Sequence, residues 1–548
     1  MKKNKIYAML LASALTISSF TGCANEPKST DVDFSMDNLE LTSNEAEKIT
    51  LPISEEKITL SYFAMPESYI TSKMKGYSEM TIHQEAEKLT NINIKWREES
   101  YTDPRPKMNL MFSTGEPEDI IWDVYKATGG PKKLLDDELI IPLNSYIDKY
   151  APNLKKLIEE HPDLLHQIST DDGRIFMFPQ LRIDPITRAN SGFQLRKDWL
   201  DKLNLKEPTT IDEWYTVLKA FKEKDPNGNG EQDEVPFVSA SRKKTSKCLN
   251  NFSIAFGVID DFFVDDGEVK YGPLEAGYKD FITTMAKWYS EGLIDPEYAV
   301  QESKNFDAKI TGDKGGAYYA ALSGNLGKYL NAKKGEEFDL VGVPMPKAPD
   351  GKSYVAVDAF AKLAPHGASI GANNKYIVET VKWLDWHYSE EADTLYNWGI
   401  EGQAYNVTDG KKHYTDLILN NPDNLSKEEA AAKYAGGTMT QMPIKDNGDV
   451  FRELKSLPQQ IAASAIWSKG DTSKILPLLY FSDDKTLENT NILAEVNTYV
   501  DEMFNKFIMG IEPIENYDKF VEQIKEMNIE SVVENYQESY DKLMKKTK

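Results

Sequence analysis

The sharpest chemistry in the chain lies in Asp225-Pro226-Asn227-Gly228-Asn229-Gly230-Glu231-Gln232-Asp233-Glu234. Oxygen-bearing side chains recur at every second position (Asp225, Asn227, Asn229), and Gly230 stands sixth, where a tight turn is needed. That spacing wraps hard oxygen ligands around calcium, with the Glu231 backbone carbonyl as the seventh-position donor. The twelfth position is Pro236, so the bidentate glutamate of an EF-hand loop is missing there; Asp233 and Glu234 stand where they can supply its oxygens. Such a site is structural, because a closed oxygen shell leaves no position for a substrate. The alternative is an Asn/Gly-rich surface turn without metal.

Signatures of catalysis are scarce. None of the six histidines (His83, His161, His166, His366, His387, His413) forms HExxH or another metal-ligand spacing. There is no G-x-S-x-G elbow, no P-loop and no G-x-G-x-x-G after a strand. Cys248 lacks a nucleophile signature. The reading is therefore not an enzyme. A secreted glycoside hydrolase or lyase stays as the enzyme alternative, because two carboxylates opposed across a cleft need no proximity in sequence.

The elements that must position these residues alternate two periods. Ile58, Leu60 and Tyr62 alternate as a strand; Ile82, Ala86 and Leu89 share a helical face; Ile92, Ile94 and Trp96 alternate again. Met108 to Phe112 suits a short helix after Pro106, and Asp119-Ile120-Ile121-Trp122 reads as a buried third strand. This is a βαβαβ opening, the start of a doubly wound parallel sheet whose ligands bind beyond the carboxyl ends of strands. Thr210-x-x-Glu213 is a capping box, with Ile211, Trp214, Leu218 and Phe221 as the buried face of the helix that feeds the oxygen-rich loop. A helical run is expected over Glu379 to Trp398, and long amphipathic helices over 493–507, 517–527 and 529–544.

At the N-terminus, Lys2, Lys3 and Lys5 precede an uncharged stretch from Ile6 to Phe20, too short and too rich in Ser and Thr for a membrane span. Thr21 and Gly22 directly before Cys23 resemble the bacterial lipobox, with Phe20 where Leu or Val is usual. On that reading 1–22 is a signal peptide, Cys23 takes lipid, and the polar stretch to Pro52 (23–52) is a disordered tether with a reach of about 30 Å. The alternative is an ordinary cleaved signal with an incidental cysteine. Only Cys248 remains besides Cys23, so no internal disulfide network is possible. The net charge of −24 argues against nucleic acid or an anionic lipid surface as partner.

Five blocks in order resemble the family 1 extracellular solute-binding proteins, in particular the Gram-positive lipoprotein subgroup of carbohydrate ABC importers. They are Ser113 to Ile120 (STGEPEDI), Asp172 to Pro179 (DGRIFMFP), Leu195 to Leu203 (LRKDWLDKL), Trp288-Tyr289 through Gly292 to Glu297 (GLIDPE), and Asn397 to Gly402 (NWGIEG). The resemblance implies a two-lobed periplasmic-binding-protein-like α/β fold with a hinge and added C-terminal helices. It implies an oligosaccharide caught between closing lobes, ABC permease subunits as partners, and a monomer anchored outside the cell. Some members carry a loop like Asp225 to Glu234 as a structural calcium site. The lobes are expected as 53–182 with a return at roughly 306–365, against 183–305 and 366–548. A receptor for a peptide or other non-sugar solute is the alternative.

Within that frame the 11% aromatic content offers stacking faces for sugar rings as well as core. Trp122 and Asp123 end the third strand, where the sheet rule places ligand. Gln180 follows the crossing segment near the hinge. Trp398, Glu401 and Tyr405 lie in a Gly-rich loop suited to a cleft wall, and Asp358 in a small-residue strand, Val357 to Phe360. Trp199, flanked by Leu195, Leu200 and Leu203, reads as core.

Overall fold

The computed structural model describes residues 32, 34, 39–42, 44–66, 70, 74–240, 249–356, 363–364, 366–455, 457–479, 481 and 483–545. Cys23, Cys248 and Asp358 lie outside the described residues. The alternating runs become strands β1 (Ile58–Ala64) and β2 (Ile92–Glu98), with the helix Thr81–Thr90 between them burying Ile82 and Ala86. The helix Arg105–Ser113, with Pro106 in its first turn, leads to the fully buried β3 (Ile120–Trp122). β1 pairs in parallel with β2 and β3, which is the βαβαβ unit. β4 (Phe178–Gln180) and β11 (His366–Ile370) complete a sheet of order β2-β1-β3-β11-β4.

A second sheet has the order β10-β5-β9-β6, from β5 (Ser191–Arg196), β6 (Val235–Phe237), β9 (Gly315–Ala321) and β10 (Leu340–Gly342). Two hairpins stand apart, β7 (Phe262–Asp265) with β8 (Glu268–Tyr271), and β12 (Tyr405–Thr408) with β13 (Lys411–Tyr414). Each large sheet has one strand running against its neighbours: β11 against β3 and β4, and β5 against β9 and β10. β4 runs into a crossing between the sheets, and β5 follows that crossing. β5 must therefore start at the edge where β4 ends, and β11, whose His366 pairs with Gln180, starts there too.

Each sheet has its own core, so the protein has two lobes. The first gathers Leu60, Phe63, Ile121, Phe178, Ile370 and Trp383; the second gathers Phe193, Trp199, Trp214, Phe252, Trp288 and Tyr319. The closing helices Asp483–Ile508, Tyr517–Glu526 and Ile529–Lys545 pack on the second core through Val500, Phe504, Phe520 and Val532. Trp199 is fully buried there, with the Arg196 guanidinium 4.5 Å above its ring.

Strand pairing reverses the expected return. β9 and β10, within 306–365, lie in the second sheet, whereas β11 and the helices that follow it belong to the first core. The chain returns to the second core at Phe451 and then through the helix Pro458–Trp467, whose Trp467 Nε1 donates to Val343 O at 3.0 Å. Both lobes bury similar apolar patterns, so nothing local marks which sheet receives β11.

The expected tether is also corrected. From Leu39 to Ile53 the chain is strapped to the first lobe. Asn144 Nδ2 donates to Leu39 O (2.6 Å), Thr42 N to Asp148 Oδ1 (2.8 Å), and the buried Lys155 ammonium to Asn44 O and Asp148 Oδ1 (2.6 Å each). Glu47 N donates to Lys149 O (2.8 Å) and Ile53 N to Thr90 O (3.1 Å), while Leu41, Ile49 and Ile53 pack against the core. A polar composition hides such a strap, since its bonds at Leu39, Thr42, Asn44, Glu47 and Ile53 all use backbone groups that every residue carries.

The expected helical run over Glu379 to Trp398 is two helices, Ile377–Trp386 and Glu390–Trp398, the second capped by Ser389, whose Oγ accepts from Ala392 N at 3.2 Å. Just before the break, the buried Asp385 carboxylate caps a different helix, Pro152–Glu160. It accepts from Leu154 N (2.7 Å), Asn153 N (3.0 Å) and Asn153 Nδ2 (2.9 Å). Burial pushes this carboxyl up to about 7 against the pull of those donors. Asp385→Ala is expected to cost about 3 kcal/mol in urea unfolding, because it leaves these donors unpaired inside the protein. A loss under about 1 kcal/mol would show the cap to be dispensable.

His83 and His387 flank Tyr396, with ring centroids 5.7 and 4.8 Å away. Burial lowers both to about 3. A histidine held below its unfolded value stabilises the fold fully above about 6.5, and that stabilisation is lost as pH falls. Each is expected to give up about 2 kcal/mol between pH 6.5 and 5. A His83→Gln/His387→Gln double variant should therefore lose stability less steeply over that interval than the wild type; equal slopes would refute the assignment.

Candidate ligand cleft and calcium loop

Three passages of chain between the lobes lie side by side. Leu181 N donates to Ile444 O (2.8 Å), Arg182 N to Leu363 O (2.8 Å), and Asp446 N to Leu181 O (2.7 Å). This is hinge construction: three short backbone links, with separate cores on either side among the described residues.

Beside the hinge opens a cavity of about 610 Å³, within the range of small-molecule clefts. One wall comes from the first lobe and its satellite, through Arg182, Tyr414, Ala431, Met439 and Asp446; the other from the second lobe, through Asn190, Ser191, Leu322 and Ser323. The second wall is made where β9 ends and turns into the π-helical stretch Leu322–Gly327, and where the antiparallel β5 begins. A smaller cavity continues into the first lobe between Tyr101, Trp122, Gln180 and His366, sharing Arg182, Thr438 and Met439 with the larger one.

Arg182 is the hub of this cleft. Its Nε is buried and meets no hydrogen-bond partner. Nearby, burial raises the Asp446 carboxyl, with Thr187 and Arg182 pulling it back. The His366 ring stacks on Trp122 with centroids 6.3 Å apart at 21°, and its Nδ1 lies 3.0 Å from Asp123 Oδ2 and 3.2 Å from the Tyr125 hydroxyl. Tyr101 is 40% exposed, with Lys126 Nζ 4.5 Å above its ring. The arrangement offers ring faces, hydroxyls and the buried Arg182 guanidinium nitrogen.

The sequence-predicted residues separate. Trp122 and Gln180 line the smaller cavity. Asp123 lies one layer behind, fully buried, engaging His366, the Tyr125 hydroxyl, the Gly367 amide and Lys126. Trp398 and Tyr405 do not wall the cleft. They form a satellite core with Tyr414, Trp398 lying 6.1 Å from Tyr405 and 5.0 Å from Tyr414, and Glu401 is exposed beside the hairpin. The hairpin β12–β13 folds back over the end of the preceding helix and gives its aromatic residues an apolar partner, which a Gly-rich loop read alone does not suggest. Arg182, His366, Tyr101 and Ser191 were missed.

The oxygen-rich loop lies away from the cleft, at the far ends of β6 and β9. The capping box precedes it, Thr210 Oγ1 accepting from Glu213 N at 3.3 Å. Asp225 Oδ1 accepts from Gly228 N (2.9 Å), its Oδ2 from Gly230 N (3.0 Å), Asn227 Oδ1 from Asn229 N (3.0 Å) and Asn229 Oδ1 from Glu231 N (2.7 Å). Gly230 has φ of 82°, so glycine is required there. Asp233 is held low by Lys314, 2.8 Å away, and by Asn229. Glu234 is the misfit. Both its oxygens are buried without a hydrogen bond of normal geometry, and burial raises its carboxyl, with Asp225 and Asp233 adding to the rise. Two carboxylate oxygens without hydrogen-bond partners, close enough to Asp225 and Asp233 to feel their charge, are the chemistry that a divalent cation of the calcium type would relieve.

Comparison with known proteins bears on the family and the fold. The model of the bacterial extracellular solute-binding protein family matches residues 71–394, more than half of the chain. The chain belongs to that family. Among the relatives of this solute-binding protein is the fructooligosaccharide ABC transporter substrate-binding protein FusA of Streptococcus pneumoniae, 30% identical over 406 residues, 72% of this chain and 70% of the relative. FusA in complex with kestose superposes with a TM-score of 0.65 at 24% identity, covering 89% of this chain and all of that one. The alginate-binding protein AlgQ2, solved without calcium ion, gives 0.62 at 25% identity over 89% of this chain and 99% of that one. The two-lobed fold of this solute-binding protein is thus a shared one.

Proposed function

We propose that the chain is the ligand-capturing subunit of an ABC importer and takes an oligosaccharide into the cleft between its lobes. The observation that carries this reading is a cavity walled by both lobes beside three chain passages linked by backbone hydrogen bonds. A ligand favours the closed receptor only by touching both lobes, and a permease can then tell loaded from empty by shape. FusA, by its name a fructooligosaccharide-binding protein, supports the sugar. Trp122 and Tyr101 offer ring faces, and Arg182, His366 and Ser191 offer polar groups for hydroxyls. Asp225, Asn227, Asn229, the Glu231 carbonyl, Asp233 and Glu234 hold a structural calcium. Cys23 carries the lipid that keeps the monomeric receptor at the outer face of the membrane. The ligand is released unchanged.

Intrinsic tryptophan fluorescence should show saturable binding of kestose or of alginate oligosaccharides. Binding of peptides alone, or cleaved sugar after prolonged incubation, would sink the proposal. Cys23→Ala should release the protein into the medium; retention at the membrane would remove the lipid anchor.

A further inference from the structure

The floor of the cleft is the loop that carries the short 3-10 turn Gly437–Thr440, far in sequence from the sheet beneath it. Thr438 and Met439 line both cavities, and Gln441 lines the smaller. Three buried donors of the first lobe hold this loop by its carbonyls. The Tyr62 hydroxyl donates to Gln441 O at 2.6 Å, the Tyr77 hydroxyl to Met439 O at 2.9 Å, and Gln180 Nε2 to Thr438 O at 2.9 Å. Gln441 completes the attachment from its own side. Its Oε1 accepts from Met65 N at 2.7 Å, and its amide donates to Met65 O, just past the end of β1. Gln441 stands at φ of 53°, a left-handed conformation that a non-glycine residue keeps where its surroundings impose it.

These bonds come from separate elements. Tyr62 lies on β1, Gln180 ends β4, and Tyr77 opens the short 3-10 turn Tyr77–Glu79. All three, and Gln441, are buried. Their convergence on carbonyls 438, 439 and 441 turns those groups toward the sheet and makes the floor a rigid part of the first lobe, although the chain reaches it just before passing back to the second. A binding site must hold its contacts to within about half an ångström, so what fixes the floor fixes the contacts above it.

We infer that Tyr62, Tyr77 and Gln180 are positioning residues that set the affinity of the cleft through the loop they hold. This rests on the oligosaccharide reading above. Tyr62 gives the cleanest case, because it lines neither cavity.

Tyr62→Phe and Tyr77→Phe each remove one hydroxyl and keep the ring. Two measurements test them: the Kd for kestose and for alginate oligosaccharides, and hydrogen–deuterium exchange of residues 436–444 in the ligand-free protein. Each variant should weaken binding roughly tenfold, mostly through faster dissociation. Exchange should quicken in 436–444 and stay unchanged in the second lobe, with Tm nearly constant. A merely structural role predicts faster exchange throughout and a lower Tm without a specific loss of affinity, and that result overturns the inference. So does an unchanged Kd beside quickened exchange. If neither sugar binds the wild type, the oligosaccharide reading fails and takes this inference with it. The two variants remove independent bonds, so failure of one to fold leaves the other to decide.

Discussion

Arg182→Met weakens oligosaccharide binding by about 100-fold while leaving the unfolding midpoint within a few degrees of the wild type; that is the expected result. Hydrogen bonds to a charged group inside a desolvated site are the strong ones, and the Arg182 Nε waits unpartnered at the junction of both cavities. The unbranched methionine keeps the stem that packs beside the hinge, and the backbone bond to Leu363 O needs no side chain. Titration by tryptophan fluorescence, with a thermal melt of the same sample, checks both halves. A Kd within threefold of wild type would show the guanidinium to be a hinge support and not a ligand contact.

The second large effect concerns the metal loop. Withdrawal of calcium by a chelator is expected to lower Tm by about 5–10 °C, since a cation present at about 100 times its Kd stabilises by ~2.7 kcal/mol in a lobe of this size. Glu234→Gln separates this from general salt effects. Without metal the variant should melt higher than the wild type, because it no longer buries an unpaired carboxylate; with calcium it should gain little. The pH behaviour follows from the raised Glu234 carboxyl. A carboxyl raised in the fold contributes stability that is present below its unfolded value of about 4.5 and lost as pH rises through the folded one. Metal-free protein should thus recover stability on mild acidification, and calcium should erase that recovery. Identical melts with and without calcium would remove the site.

Much of the fold was legible because it is local. The period-two runs at Ile58 and Ile92, the capping box at Thr210 and the oxygen spacing from Asp225 each depend on residues within a dozen positions of one another. The cleft was legible only where it follows the sheet rule. Trp122 stands at the carboxyl end of a parallel strand, as the rule requires. His366 and Ser191 open the two antiparallel strands, so they reach the same cleft from amino ends, which the rule does not search. Arg182 owes its place to three chain passages more than 80 residues apart that meet at Leu181. Trp398 was misread for the opposite reason: its environment is set by Tyr414, beyond a turn whose pairing its own neighbours do not reveal.

The strap over Leu39 to Ile53 changes how the receptor would meet its permease. On the proposed lipidation of Cys23, about 9 positions separate it from Val32, the first described residue packed against the first core, against about 29 had the whole stretch been free. Full extension then bounds the leash at about 30 Å in place of about 100 Å. Cutting a radius to about a third divides the accessible volume by about 30, so a receptor anchored in this way would be roughly 30 times more concentrated around a permease within reach. The strap also attaches the leash to the first lobe. The second lobe is then the freely swinging partner, and the docking geometry is biased before any sugar arrives.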